Sequence, residues 1–176
     1  MKSDMNVYGD IETKTLSRGT VLQHAGDITK VAYRVKKGCL KSYVIDKSGK
    51  EHVVHFAPED WFISDMGSFF SENPSDIFIE AIEDSEVMVL QGSSFKNLAD
   101  LNNEMLVDIN HKLRNSLIAT NKRLVGLLTS TAEERYMEFT QTYPMLVQRL
   151  PLKLIASYIG ITPEYLSEIR RKIVVK

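Results

Sequence analysis

Cysteine is almost missing from this sequence, and its single thiol, Cys39, rules out a disulfide framework. It also rules out any multi-cysteine zinc or iron–sulfur site within one chain. Histidine is nearly as scarce, with four residues. The closest two, His52 and His55, stand three apart in a strand-like run, so they leave opposite faces and cannot chelate together. His24 and His111 have no companions in the sequence. No G-x-S-x-G, no P-loop and no supported pair of carboxylates occurs. No metal, no cofactor and no catalytic residue is therefore expected.

Long apolar runs are absent too. No stretch approaches the roughly 20 residues that cross a bilayer. The opening "MKSDMNVYGDIETKTL" contains nothing like the apolar region of a signal peptide. We expect a cytoplasmic protein with no membrane partner. Nor is there an excess of one charge: 22 Lys and Arg face 23 Asp and Glu, for a net charge of −1. The distribution is uneven, however. Between residues 149 and 176, Arg149, Lys153, Arg170, Arg171, Lys172 and Lys176 face only Glu164 and Glu168. An acidic body with a basic end suits an anionic partner at that end, although a solvated basic terminus would look the same.

With 43% apolar and 26% charged residues, the chain has globular composition. Turn signals recur at Gly19, Gly26-Asp27, Gly38, Ser48-Gly49 and Pro58-Glu59-Asp60, at the spacing of short strands in a sandwich or barrel. Between them lie "VAYRV" (31–35), "LKSYVI" (40–45) and "HVVHF" (52–56), followed by "DIFIEAI" (76–82) and "EVMVL" (86–90). In "DIFIEAI", Asp76, Phe78 and Glu80 alternate with Ile77, Ile79 and Ala81, as a half-buried strand should. Residues 10–92 thus predict an all-β domain. It should be antiparallel, because no crossover helix separates the strands. Helical periodicity then takes over. A short helix is expected near 95–100, then a cap at Asn102-Asn103 and a long helix over 103–128. On it Leu106, Asn110, Leu113, Leu117, Thr120, Leu124 and Leu127 recur in steps of four and three. That is a heptad seam, and its single polar Asn110 would fix the register of a homodimer. The alternative is a long helix lying along its own β-domain.

Thr131 and Glu134 have capping-box spacing, for a helix that should end near Tyr143 before Pro144. The next helix should begin at Pro151. In "LIASYIGITPEYLSEIRRK" (154–172), one unbroken helix would carry Gly160 and Pro163 inside it, at about 1 and 3 kcal/mol. Two helices bent at Gly160, the second capped by Thr162, avoid both costs. Ala156 leaves room for their approach. Ile155, Ile159, Ile161, Leu166 and Ile169 would face inward, leaving Thr162, Glu164, Tyr165, Ser167, Glu168 and Arg171 outward. This is helix-turn-helix spacing.

"VAYRVKKGCLKSYVIDKSGKEHVVHFAPEDWF", "EAIEDSEVMVL" and "TAEERY…LPLKLIASYIGITPEYLSEIRRK" together resemble the Crp/Fnr family of bacterial transcription regulators over nearly the full length. The resemblance implies an α+β protein: an N-terminal antiparallel β-roll (a jelly roll of the cyclic-nucleotide-binding type, residues 1–100), a dimerisation helix (101–129) and a C-terminal helix-turn-helix domain (130–176). The helix from Thr162 to Lys172 would enter the major groove of double-stranded DNA. Glu164 matches the family's recognition glutamate, with Tyr165 and Ser167 beside it, while Arg170, Arg171 and Lys172 would touch phosphates. Pro163 and Glu168 stand where cyclic AMP receptor proteins carry DNA-contacting arginines. The final "IVVK" could begin a wing strand but not complete a hairpin, so the wing is expected to be truncated. RNA polymerase is a further partner the family implies.

The same resemblance puts an effector pocket at Trp61, Phe62, Ser64, Asp65 and Ser75. The family's glycine–glutamate pair falls near Ser64-Asp65 and its phosphate-binding arginine at or near Ser75. No Lys or Arg occurs between Glu51 and Val89, so an anionic phosphate would lack a charged partner. A roll that binds neither cyclic AMP nor cyclic GMP, and senses either something apolar or nothing, is expected. Two other functions compete: a protein-interaction module whose helix-turn-helix no longer touches DNA, and a cupin-like metal enzyme. The second would need an H-x-H pair and a glutamate on one strand face, which the chain lacks.

Overall fold

The computed structural model describes residues 12–92 and 102–174. Eight strands come first: β1 (Thr13–Leu16), β2 (Val21–Gln23), β3 (Val31–Lys37), β4 (Leu40–Ile45), β5 (Glu51–Ala57), β6 (Phe62–Ile63), β7 (Phe78–Ala81) and β8 (Ser85–Gln91). A one-turn helix, α1 (Met66–Ser71), interrupts them between β6 and β7. The strands form two four-stranded sheets, ordered β1-β8-β3-β6 and β2-β7-β4-β5. The β1–β8, β3–β8, β3–β6, β2–β7 and β4–β7 pairs are antiparallel, as the lack of crossover helices requires.

Strand alternation does the packing. In β7, Ile79 and Ala81 are buried while Phe78 and Glu80 are half-exposed. They lie opposite Ser42 and Leu40 of β4, and one core gathers Leu16, Tyr33, Val35, Leu40, Ala57, Ile63, Ile79, Ala81, Val87 and Val89. Gly38 makes the β3–β4 turn at φ 90°, where a Cβ would collide with Asp84 and Ser85. Cys39 lies one residue before β4 and is fully buried. β1, β2, β6 and α1 were not foreseen from the sequence.

Among the described residues, five helices follow: α2 (Asn103–Thr129), α3 (Ala132–Thr142), α4 (Pro144–Arg149), α5 (Leu152–Ile159) and α6 (Pro163–Val174). The Asn102 carboxamide oxygen accepts from the Met105 N–H at 2.9 Å, so the expected cap opens α2. The capping box is complete as well. Thr131 accepts from the Glu134 N–H at 3.2 Å, and the Glu134 carboxylate accepts from the Thr131 N–H at 2.7 Å. That carboxyl is held below its usual pKa first by the backbone bond to Thr131 and then by the Thr131 hydroxyl. α4 was not expected, although Pro144 in its first turn is a legible start. The expected helix near 95–100 lies outside the described residues. Ile173 and Val174 continue α6, which corrects the expectation that they begin a wing strand. An extra turn needs no partner strand.

Contacts divide the chain into two compact units, Met1–Val44 with His55–Asn115, and Ile45–Val54 with Ser116–Lys176. The tip of the β4–β5 hairpin thus groups with the C-terminal helices. In the second unit the core consists of Tyr136, Phe139, Leu146, Leu150, Ile155, Ala156, Tyr158, Ile159, Leu166 and Ile169.

Candidate nucleic-acid interface

The bend at residue 160 is built from local bonds. Gly160 ends α5 in the left-handed region at φ 76°, its N–H reaching back to the Ala156 and Ser157 carbonyls. The Ile161 N–H donates to the Ala156 carbonyl at 3.0 Å, the six-residue closure typical of a helix ending in glycine. Thr162 then receives the Tyr165 N–H on its hydroxyl at 3.2 Å and the Leu166 N–H on its carbonyl at 3.0 Å. Pro163 occupies the first turn, where it loses no intrahelical bond.

This bend sets the two faces of α6. Leu166 and Ile169 are buried at 0% and 3% exposure and Ile173 is half-buried. Thr162, Glu164, Tyr165, Ser167, Glu168, Arg170, Arg171 and Lys172 are all exposed. The structure therefore brings every one of the residues expected to bind DNA onto one helix and its cap. The Ser167 hydroxyl spends its proton on the Pro163 carbonyl, at 2.9 Å, and keeps its lone pairs outward.

Two arginines that sequence reasoning passed over hold the bend from behind. Arg123 of α2 donates through Nε and Nη2 to the Tyr158 carbonyl at 3.1 and 2.8 Å. Its Nη2 and Nη1 also reach the Val53 and Val54 carbonyls at 3.0 and 2.9 Å. Its guanidinium carbon lies 4.2 Å from the centroid of the Tyr158 ring. Arg135 of α3 donates to the Ile159 carbonyl at 2.8 Å and to the Ser130 carbonyl at 2.6 Å. Cations on the last carbonyls of a helix satisfy orphan acceptors and oppose the negative end of its dipole. Burial lowers the Arg123 pKa from its ordinary value. Ser157 completes the clamp, accepting from the Val53 N–H at 2.9 Å and donating to the Glu51 carbonyl at 3.1 Å.

On α2, one column of residues is half-buried, Met105, Ile109, Lys112, Ser116, Ala119 and Arg123, and ends in the buried Gly126. The expected dimer seam lies one residue further on in each case. Leu106 is half-buried, whereas Asn110, Leu113, Leu117, Thr120, Leu124 and Leu127 are exposed. Leu117 and Leu124 stand out at 61% and 54%. Leu127 turns toward the bend, within 3.1 Å of where a Cβ on Gly160 would be. Val107, Ile118, Val125 and Leu128, also exposed, form a second column that widens this apolar face. Reading a single heptad column missed them.

The expected effector pocket is only partly assembled. Asp65 caps α1, accepting from the Ser68 N–H at 3.1 Å, and accepts a hydrogen bond from the Ser75 hydroxyl at 2.7 Å. Ser75 in turn accepts from the Gln23 amide at 2.8 Å, whose oxygen accepts from Thr29 at 2.9 Å. Ser64 donates instead to the Val31 carbonyl. Trp61 packs against the roll's core, while Phe62 packs with Met88 and Leu90. The two aromatics thus join different apolar clusters. His52 and His55 separate likewise, to Asp46 and to Trp61.

Likenesses to known proteins fit this arrangement. Residues 13–102, just over half of the chain, match the cyclic nucleotide-binding domain. The chain belongs to that family. It is 22% identical over 111 residues to the cAMP-activated global transcriptional regulator CRP of Salmonella typhimurium, covering 63% of this chain and 52% of that protein. It therefore spans about half the length of the curated relatives it matches. Among solved structures it is similar to FixK2 of Bradyrhizobium japonicum, with a TM-score of 0.78 and 18% identity over 94% of this chain and 85% of that one. A CRP/FNR-family transcriptional regulator from Thermus thermophilus has a TM-score of 0.68 at 18% identity, covering 93% and 86%. The order of β-roll, long helix and terminal helices is the Crp/Fnr fold. No described helix is long and apolar enough to cross a membrane.

Proposed function

We propose that the chain is a transcription regulator that binds an inverted-repeat operator in double-stranded DNA as a homodimer, without gating by a cyclic nucleotide. The observation that carries the reading is the outward face of α6. Its buried line is apolar, its exposed line is polar from end to end, and its last turn is basic. Polar side chains in the first turns can meet base edges, while Arg170, Arg171 and Lys172 can meet phosphates. The apolar stripe along α2 supports pairing with a second copy, because Leu117 and Leu124 are exposed among the described residues.

Independence from cyclic nucleotides rests on Asp65 and Ser75. A ribose phosphate brought to this place would meet a carboxylate and a neutral hydroxyl rather than a cation. At a separation near 4 Å, two unit negative charges repel by about 4 kcal/mol at an effective dielectric constant of 20. Electrophoretic mobility shift against a library of inverted repeats tests the DNA reading. Retention is expected only where half-sites are centred about 34 Å apart or a multiple of that. Saturating cyclic AMP should leave the shift unchanged. Micromolar cyclic AMP affinity in calorimetry would overturn the second half of the proposal and leave the first standing.

A further inference from the structure

The geometry points to Glu168 as a second base-reading residue on α6, one that selects cytosine in the operator half-site. This inference rests on the DNA-binding reading above. In a helix whose residues advance by 100°, positions four apart fall on nearly the same line. Glu164 and Glu168 form such a line, with Arg171 one turn further on, and all three are exposed. The line stands opposite Leu166, Ile169 and Ile173, the side that α6 turns to its own unit. Whatever enters the groove with Glu164 foremost therefore carries Glu168 about 6 Å behind it, close to two base-pair steps.

The Glu168 carboxylate makes no hydrogen bond or ion pair with any described residue, although Arg171 and Lys172 lie three and four positions away. It is thus not consumed in the intrahelical pairing that usually explains an exposed glutamate. A carboxylate only accepts. In the major groove the donors are the cytosine N4 and adenine N6 amino groups. Adenine also presents its N7 acceptor beside N6, which repels a carboxylate, whereas cytosine presents its amino group without one. Guanine offers two acceptors and thymine an acceptor and a methyl group. Against all but cytosine, the Glu168 charge is left unpaired or opposed, and that repulsion is itself a source of specificity.

Selection from randomised inverted repeats, with the full chain at fixed salt, tests this. The wild type should enrich cytosine at two positions in each half-site, each preferred over guanine by roughly ten- to a hundredfold. Glu168→Ala should flatten one of those columns and leave the other intact. Glu168→Arg should convert the same column to guanine, whose O6 and N7 match a guanidinium. The wild type and both variants should share one circular dichroism spectrum, since residue 168 packs against nothing. An unchanged column in Glu168→Ala overturns the inference. So does Glu168→Arg if it only steepens the dependence of log affinity on log salt by about one phosphate, because that places residue 168 at the backbone. Enrichment that ignores residue 168 leaves DNA binding standing. Failure of the wild type to enrich anything removes both readings.

Discussion

Replacing Arg123 with alanine should loosen the helix-turn-helix unit more than any change on the exposed face of α6. The side chain makes four N–H···O bonds to three carbonyls. Not all of them are lost equally. Val54 is 40% exposed, so its carbonyl can turn to water. Val53 and Tyr158 are buried at 2% and 8%, and their carbonyls would be left short of a donor. An unsatisfied buried acceptor costs about 1–3 kcal/mol, and the cation over the Tyr158 ring adds about 1 kcal/mol. Relieving the arginine's own desolvation offsets part of this, leaving a loss of about 3 kcal/mol. That corresponds to roughly a hundredfold faster exchange for amides that open with the unit. Hydrogen exchange is the assay to use, because a chain with two compact units need not unfold in one step. The effect should concentrate on α5 and on residues 51–54. Arg123→Lys should recover part of it, since an ammonium keeps the charge but cannot span three carbonyls with a planar fork. A loss below about 0.5 kcal/mol, or faster exchange spread evenly over the β-roll, would refute the clamp.

Leu117→Asp combined with Leu124→Asp should abolish self-association in sedimentation while changing the stability of the single chain little, because both side chains are already exposed within it. If the seam does not pair, neither the wild type nor the variant will sediment as a dimer. Gly160→Ala should cost about 1–2 kcal/mol in chemical unfolding, since the backbone there is left-handed and the new methyl meets Leu127. Gly160→Asn should cost less, as asparagine tolerates that region better. The capping box adds a pH dependence. The Glu134 pKa is depressed below its ordinary 4.5 in the folded chain, so its contribution is complete at neutral pH. It begins to fall below the ordinary value and is lost as pH drops through the folded one. Protection of the first turn of α3, taken relative to the intrinsic exchange rate at each pH, should therefore fall on acidification in the wild type and already be lowered, with a flatter profile, in Glu134→Gln.

The features that could be read beforehand depend on residues one to five apart. Gly160, Thr162 and Pro163 specify the bend within four positions, and the structure closes it with bonds from Ile161 to Ala156 and from Tyr165 to Thr162. Thr131 and Glu134 specify the start of α3 in the same way. The strands that went unseen are short or polar. β6 has two residues and is a strand only because Phe62 and Ile63 pair with Arg34 and Tyr33. β1 buries only Leu16 and is a strand through its pairing with β8. Such pairings leave no mark in local periodicity. The Asp65–Ser75 contact is similar: the absence of a cation could be counted along the sequence, but the carboxylate that accepts from Ser75 could not.

Arg123 shows where a further signal was available. Its partners lie 35 and 70 positions away, beyond any local pattern. Yet it falls on the column of α2 that begins Met105, Ile109 and passes through Ser116, Ala119 and Gly126, one residue before the leucine seam. A helix with a stripe of exposed leucines must turn another side to its own chain, and small residues at Ser116, Ala119 and Gly126 mark that side as a close approach. A guanidinium on a close-approach column has to find acceptors there. The ends of helices and the edges of hairpins are where unpaired carbonyls stand. An arginine near the C-terminus of the long helix, on the column of small residues, therefore points to such carbonyls, and the structure shows them to be Tyr158 at the end of α5 and Val53 and Val54 of β5. The same logic that identifies the outward leucines identifies the inward cation.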